Sequence, residues 1–189
     1  MPAENFESHL AFIREAQRLK DVLRSGHTAQ GRRESTAEHS WRLCLMVLVF
    51  APHLPELDLL RLLKICIIHD LGEAIGGDVP AIAQDGSADK SRRERADLIT
   101  LLAPLPSTLQ QEFHGLWDEY DAAATPEARA AKALDKLETL IQHNQGANPP
   151  DFDYRFNLTY GQKYTDADPL FGALRVLIDA DTQRRVDAG

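Results

Sequence analysis

Residues 67–80 read IIHDLGEAIGGDVP. An apolar run, Ile65 to Ile68, ends at His69-Asp70, and two further carboxylates, Glu73 and Asp78, flank a Gly76-Gly77 break. A His-Asp pair at the end of so apolar a segment is costly unless a cation, a hydrogen-bond network or solvent satisfies it. The segment from about Glu56 through Asp70 predicts a helix that stops near the two glycines. The chemistry of the chain therefore sits at a helix end, and the neighbouring segments read as helix too.

Upstream, Ser35-x-x-Glu38 forms a capping box that opens an apolar helix, which Pro52 ends. Before it, Phe6, Leu10 and Ile13 mark a first helix up to about Leu23, followed by the polar stretch SGHTAQGRRE. Downstream, AIAQDGSADK reads as a loop, with helices from about Lys90 to Leu102 and from Ser107 to Asp121. Thr125-Pro126 is a cap with proline at the first helical position, opening a helix through Leu134, Leu137 and Ile141. GANPPDFDYRF reads as a loop, and a last helix begins near Pro169 and uses Leu170, Leu174 and Leu177. No run alternates like a strand, and no repeat or low-complexity linker interrupts the chain. The expectation is an all-α helical bundle, a single domain over 1–189.

The 189 residues are enough for one core, and 43% hydrophobic residues with dispersed charges indicate a folded domain. A net charge of −8 argues against a nucleic-acid polymer as partner, because phosphate backbones demand clustered lysine and arginine. A small phosphorylated ligand needs only a few local cations. Arg14, Arg18, Lys20, Arg24, Arg32, Arg33 and Arg42 supply such a patch. Cys44 and Cys66 lie in apolar helical stretches and read as buried thiols of a reducing compartment. The first residues lack a secretory pattern and no apolar run is long enough to span a bilayer, so the expected location is cytoplasmic, with no membrane partner.

Among seven histidines, position singles out two. His39 lies in the first turn of the helix opened by Ser35, and His69 at the far end of the next helix. Antiparallel packing would bring these ends together, with Asp70 beside them, a donor set suited to a divalent cation. Asp135 is the candidate fourth ligand; the competing reading is a surface pair with Lys136. Glu73, four residues after His69, shares its helical face if the helix persists; alone it reads rather as a helix-terminal surface acid. Asp78 is either a turn residue capping backbone N–H groups or a carboxylate swung into the site by the glycines.

Together these residues resemble the HD-domain metal-dependent phosphohydrolases, in which an upstream histidine, an adjacent His-Asp and a distant aspartate recur in order. Here they are His39, His69-Asp70 and Asp135. RRESTAEHSW (32–41), HDLGEAIGGDVP (69–80) and LWDEYDAAATPEARAAKALDKLE (116–138) carry the likeness, which is greatest to the 5′-deoxynucleotidase-like branch. It runs from about Leu19 to Ile141, leaving a C-terminal loop and helix over 146–187. Dinuclear relatives have extra histidines between the pair and the last aspartate, where this chain has His114 alone, so one metal ion is implied. Alarmone hydrolases continue HDxxED, and here Ala74 follows Glu73.

The resemblance implies one divalent ion (Mn, Co, Fe, Zn, Ni or Mg) on His39, His69, Asp70 and Asp135. It implies catalytic roles for Glu73 and Asp78, a nucleoside 5′-monophosphate as substrate, and a homodimer. Arg24 and Arg33 are candidates for the phosphate oxygens, given the guanidinium fork; solvation of their loop is the competing reading. Another small phosphate ester, a cyclic nucleotide, or a non-catalytic nucleotide sensor are the alternatives. Relatives often have Trp after the residue matching Arg24, where this chain has Ser25-Gly26-His27, and some have Thr where it has Val79; both departures bear on sugar selection.

Overall fold

The computed structural model describes residues 6–83 and 88–188. The fold is mostly helical, as expected. The first helix, α1 (Glu7–Ala16), passes into a 3-10 turn over Gln17–Lys20. There the sequence expectation fails. Instead of helix up to Leu23 and an irregular stretch, the chain forms an antiparallel hairpin of β1 (Leu23–His27) and β2 (Arg33–Ser35). Its register is irregular between Leu23 and His27. The hairpin is held from outside: Thr36 donates its N–H to Val22 O at 2.9 Å, and Gln142 donates to His27 O at 2.5 Å.

Ser35 then caps α2 (Thr36–Phe50), its side chain accepting Glu38 N–H while Glu38 accepts Ser35 N–H at 2.9 Å. Asp58 caps α3 (Leu59–Ile68), and the Glu56–Asp70 expectation shortens accordingly. After a turn at His69–Gly72 comes α4 (Glu73–Gly76), and Gly77 at φ 84° ends it. A side chain there would be strained, so the glycine is what lets the chain reverse toward Asp78. Helices α5 (Ala88–Leu102) and α6 (Ser107–Ala122) match their predicted spans within two residues. Part of AIAQDGSADK, residues 84–87, lies outside the described residues.

Thr125 and Pro126 open α7 (Pro126–Gln145), which packs against α2, α3 and α6. The stretch read as a loop holds a short helix, α8 (Tyr154–Asn157), followed by α9 (Gln162–Thr165) and α10 (Pro169–Ala188). Helix α10 packs on α7, so α7 is enclosed. It buries Leu134, Leu137 and Leu140, and on another side also Lys132, Asp135, Glu138, Thr139, Gln142 and His143. Among the described residues no helix is long and apolar enough to cross a membrane. Cys44 and Cys66 are free.

Candidate metal centre and active site

Two helix ends meet where the sequence placed them. His39, on the first turn of α2, and His69, just past α3, bring their rings to 5.6 Å between centroids. Asp70 Oδ2 lies 3.1 Å from His69 Nε2 and 3.7 Å from His39 Nε2. Asp135 reaches in from α7, with Oδ1 3.2 Å from His39 Nε2. The two imidazole Nε2 atoms and Asp70 Oδ2 are buried and make no hydrogen bond, and ligand atoms of these three residues lie within 4.8 Å of one another. Three orphaned polar atoms converging in this way fit a divalent cation, which would satisfy all three together.

The outer nitrogens are fixed. His69 Nδ1–H donates to Cys66 O at 2.8 Å, and His39 Nδ1–H to Glu138, so both rings turn Nε2 inward. Burial and Arg24 act to lower the pKa of His39, but Glu138 and Asp135 outweigh them and raise it to about 10. The carboxylates around His39 thus favour positive charge at this point of the pocket. Burial works against ionisation of Asp70, and the imidazole of His69 more than offsets it, holding the carboxylate below its ordinary range. Asp135 is likewise held low: burial opposes its charge, and Lys136, donating to Oδ2 at 2.8 Å, overcomes it. Tyr120 O–H donates to the same oxygen at 2.7 Å. The Asp135–Lys136 pair therefore exists, but inside the molecule, with Oδ1 left facing the histidines.

A cavity of about 820 Å³ opens beside this cluster. Glu73 and Asp78 both line it. Glu73 is buried; Thr36 Oγ1 donates to it at 3.4 Å and Lys90 Nζ stands 3.7 Å away. Burial first, then repulsion from Asp70 and Asp78, pushes its carboxyl up to about 10. Burial also raises Asp78, against the pull of Arg24.

The predicted basic patch disperses. Arg24 alone of its members reaches the cavity, with Nη2 donating to Thr139 Oγ1 at 2.8 Å and Nη1 3.6 Å from Asp70. Arg33 is corrected: it is exposed on β2 and spends its guanidinium on Arg24 O and Leu23 O, both at 2.8 Å. It is not among the residues that line the cavity, and its bonds hold β1. Arg42 is drawn to Glu138 at 2.5 Å, and Arg32 to Glu38. Sequence reasoning missed Glu138, Tyr120 and Lys132. The signal was available for Glu138, which follows Asp135 at a spacing of three on one helical face.

The match to known proteins agrees with this geometry. A sequence model of the HD domain matches residues 16–175. The chain is 31% identical over 141 residues to 5′-deoxynucleotidase HDDC2 of Danio rerio, covering 74% of this chain and 70% of that protein. It is 32% identical over 148 residues to 5′-deoxynucleotidase hdd1 of Schizosaccharomyces pombe, covering 75% and 74%. A crystal structure of a predicted metal-dependent phosphohydrolase from Magnetospirillum magnetotacticum superposes with a TM-score of 0.84 at 29% identity, covering 98% of this chain and 96% of that one. With its own His39, His69-Asp70 and Asp135 set out in that order, the chain belongs to the HD-domain family.

Proposed function

We propose that this phosphohydrolase cleaves deoxynucleoside 5′-monophosphates to nucleoside and inorganic phosphate, with one divalent ion on His39, His69, Asp70 and Asp135. The observation that carries the reading is the convergence of three buried, unpartnered donor atoms beside a cavity of nucleotide size. Relatives named 5′-deoxynucleotidases across animals and yeast support the substrate class. Bound there, a divalent ion supplies Lewis acidity at a phosphoryl oxygen and lowers the pKa of water. His/Asp ligation suits Mn, Co, Fe, Zn or Ni, and Mg less well.

The side chains divide the remaining work. Arg24, at the cavity wall, offsets the phosphate charge. Glu73 retains a proton at neutral pH and delivers it to the 5′-oxygen as the P–O bond to the nucleoside breaks; the water oxygen bonds to phosphorus, its surplus proton leaves to solvent, and Glu73 takes one back from solvent. Asp78 accepts a hydrogen bond from the sugar. The proposed setting is the cytoplasm, which the two free cysteines support. The proposed assembly is a homodimer; the exposed apolar row Trp41, Leu45, Leu48 and Val49 on α2 supports it, and sedimentation tests it.

Phosphate release is measured from 2′-deoxy- and ribonucleoside 5′-monophosphates, using chelator-stripped protein given Mn²⁺, Co²⁺, Mg²⁺ or Zn²⁺ in turn. Metal-restored release that Asp70→Ala abolishes is expected, with the deoxy substrates preferred. No release from protein that binds metal overturns the nucleotidase reading.

A further inference from the structure

Four cations on the cavity wall are more than half buried, and three of them already face a partner. Lys136 pairs with Asp135, Lys90 Nζ lies 2.6 Å from Glu94, and Arg24 is shared among Thr139, Asp70 and Glu34. Lys132 differs. It is 9% exposed, lines the same cavity, and its ammonium makes no ion pair or hydrogen bond among the described residues. Its contacts are aromatic faces: Nζ lies 3.9 Å from the centroid of Tyr120 and 5.6 Å from that of Tyr164.

Ring faces attract an ammonium, but they do not replace the hydration it loses on burial. An apolar residue would pack between those rings more cheaply, so a retained cation here implies an anion that arrives. The position fits one anion in particular. Lys132 stands one helical turn before Asp135 on α7, and the Tyr120 ring beneath it touches His69 at 4.9 Å between centroids and donates to Asp135. Burial pulls the Lys132 ammonium down to about 8, a loss that a bound anion would reverse.

We propose that Lys132 is a substrate-binding residue that holds a non-bridging phosphoryl oxygen, in the substrate and in the product phosphate; this rests on the phosphohydrolase reading above. Arg24 faces the phosphate while shared with Asp70 and Glu34, and Lys136 is paired with Asp135, so Lys132 is the buried wall cation that brings a full charge to the substrate beside Arg24.

Inorganic phosphate is the probe, in two measurements on the metal-loaded protein: inhibition of nucleotide hydrolysis, and the phosphate-induced rise in Tm. Lys132→Met keeps the length of the side chain and removes the charge. It is expected to weaken phosphate binding and raise KM about ten- to hundredfold, the span of a charge-assisted hydrogen bond. Metal content should stay at the wild-type level and Tm without phosphate should not fall. Lys132→Arg should recover part of the phosphate affinity, which a packing role would not. Phosphate affinity unchanged in Lys132→Met, or in Lys132→Gln should the first variant fail to fold, overturns the proposal. If the wild type hydrolyses no nucleotide, the nucleotidase reading falls, and the Tm response still judges Lys132.

Discussion

Glu138 accepts the Nδ1–H of His39 across 99 residues of sequence, with both side chains wholly buried. Its second oxygen takes Arg42 Nε at 2.5 Å, so the carboxylate is charge-balanced while it fixes the imidazole. A partner that orients a ligand in this way is commonly worth about 10- to 100-fold in metal affinity. Glu138→Gln keeps the volume and loses the charge, so metal affinity should fall within that range while helical content is retained. Metal titration of stripped protein, read beside circular dichroism, checks this.

The two arginines of the hairpin should separate cleanly. Arg24→Ala removes the guanidinium that faces Thr139, Asp70 and Glu34 inside the cavity. A lost charge-assisted contact to phosphate predicts a fall in kcat/KM of about 100-fold. Arg33→Ala removes two exposed bonds to β1 carbonyls. It should cost about 1 kcal/mol of stability and leave kcat/KM within a few-fold of wild type. Steady-state kinetics on both variants tests the assignment of Arg24 to the site and of Arg33 to the scaffold.

Gly72, inside the HDLGE segment, should resist even the smallest substitution. A Cβ there would sit 2.5 Å from the backbone oxygen of Glu94 and 3.1 Å from its Cβ. Its φ of −61° suits any residue, so the constraint is packing between α4 and α5 alone. Gly72→Ala should destabilise the fold by about 1–3 kcal/mol and, by shifting Glu73, lower kcat more than it alters metal content. Denaturant melts and metal analysis on one preparation distinguish the two effects.

Of the candidate metal cluster, His39, His69 and Asp70 were legible because they sit at helix ends, whereas Asp135 lies midway along α7 and was singled out through the family resemblance. Ser35 and Glu38 fix where α2 begins, and His39 follows from that. The hairpin was not legible. LRSGH has no alternation of apolar and polar residues, and the buried positions of the hairpin are Gly26, Glu34 and Ser35, so Arg33, Gln142 and the backbone of Val22 hold it rather than an apolar face. The wall of the cavity was hidden for the opposite reason. Lys132, Asp135, Glu138, Thr139 and Gln142 look like the solvated side of α7, yet all are buried there because α2, α6, α9 and the hairpin close over them. Polar periodicity marks a face that is not hydrocarbon core; it does not tell water from a binding site.

His143, on the same helix, gives the fold a dependence on acid. Its Nδ1 bonds Asn157 Oδ1 at 3.0 Å, its ring packs edge-on against Phe152, and a Cβ on Gly26 would come within 2.9 Å of it. Burial, with Arg24 adding to it, lowers its pKa to about 4. The unfolded chain, with an ordinary histidine near pH 6.5, then binds the proton first as pH falls. The stability that depends on neutral His143 is therefore present above about pH 6.5, declines between about pH 6.5 and pH 4, and levels off below. At roughly 1.4 kcal/mol per unit the decline amounts to about 3 kcal/mol. His143→Gln retains a hydrogen-bonding side chain but does not titrate. Urea melts at about pH 7 and about pH 4.5 should therefore differ by a smaller amount in His143→Gln than in the wild type, and equal differences in the two proteins would place the acid sensitivity elsewhere.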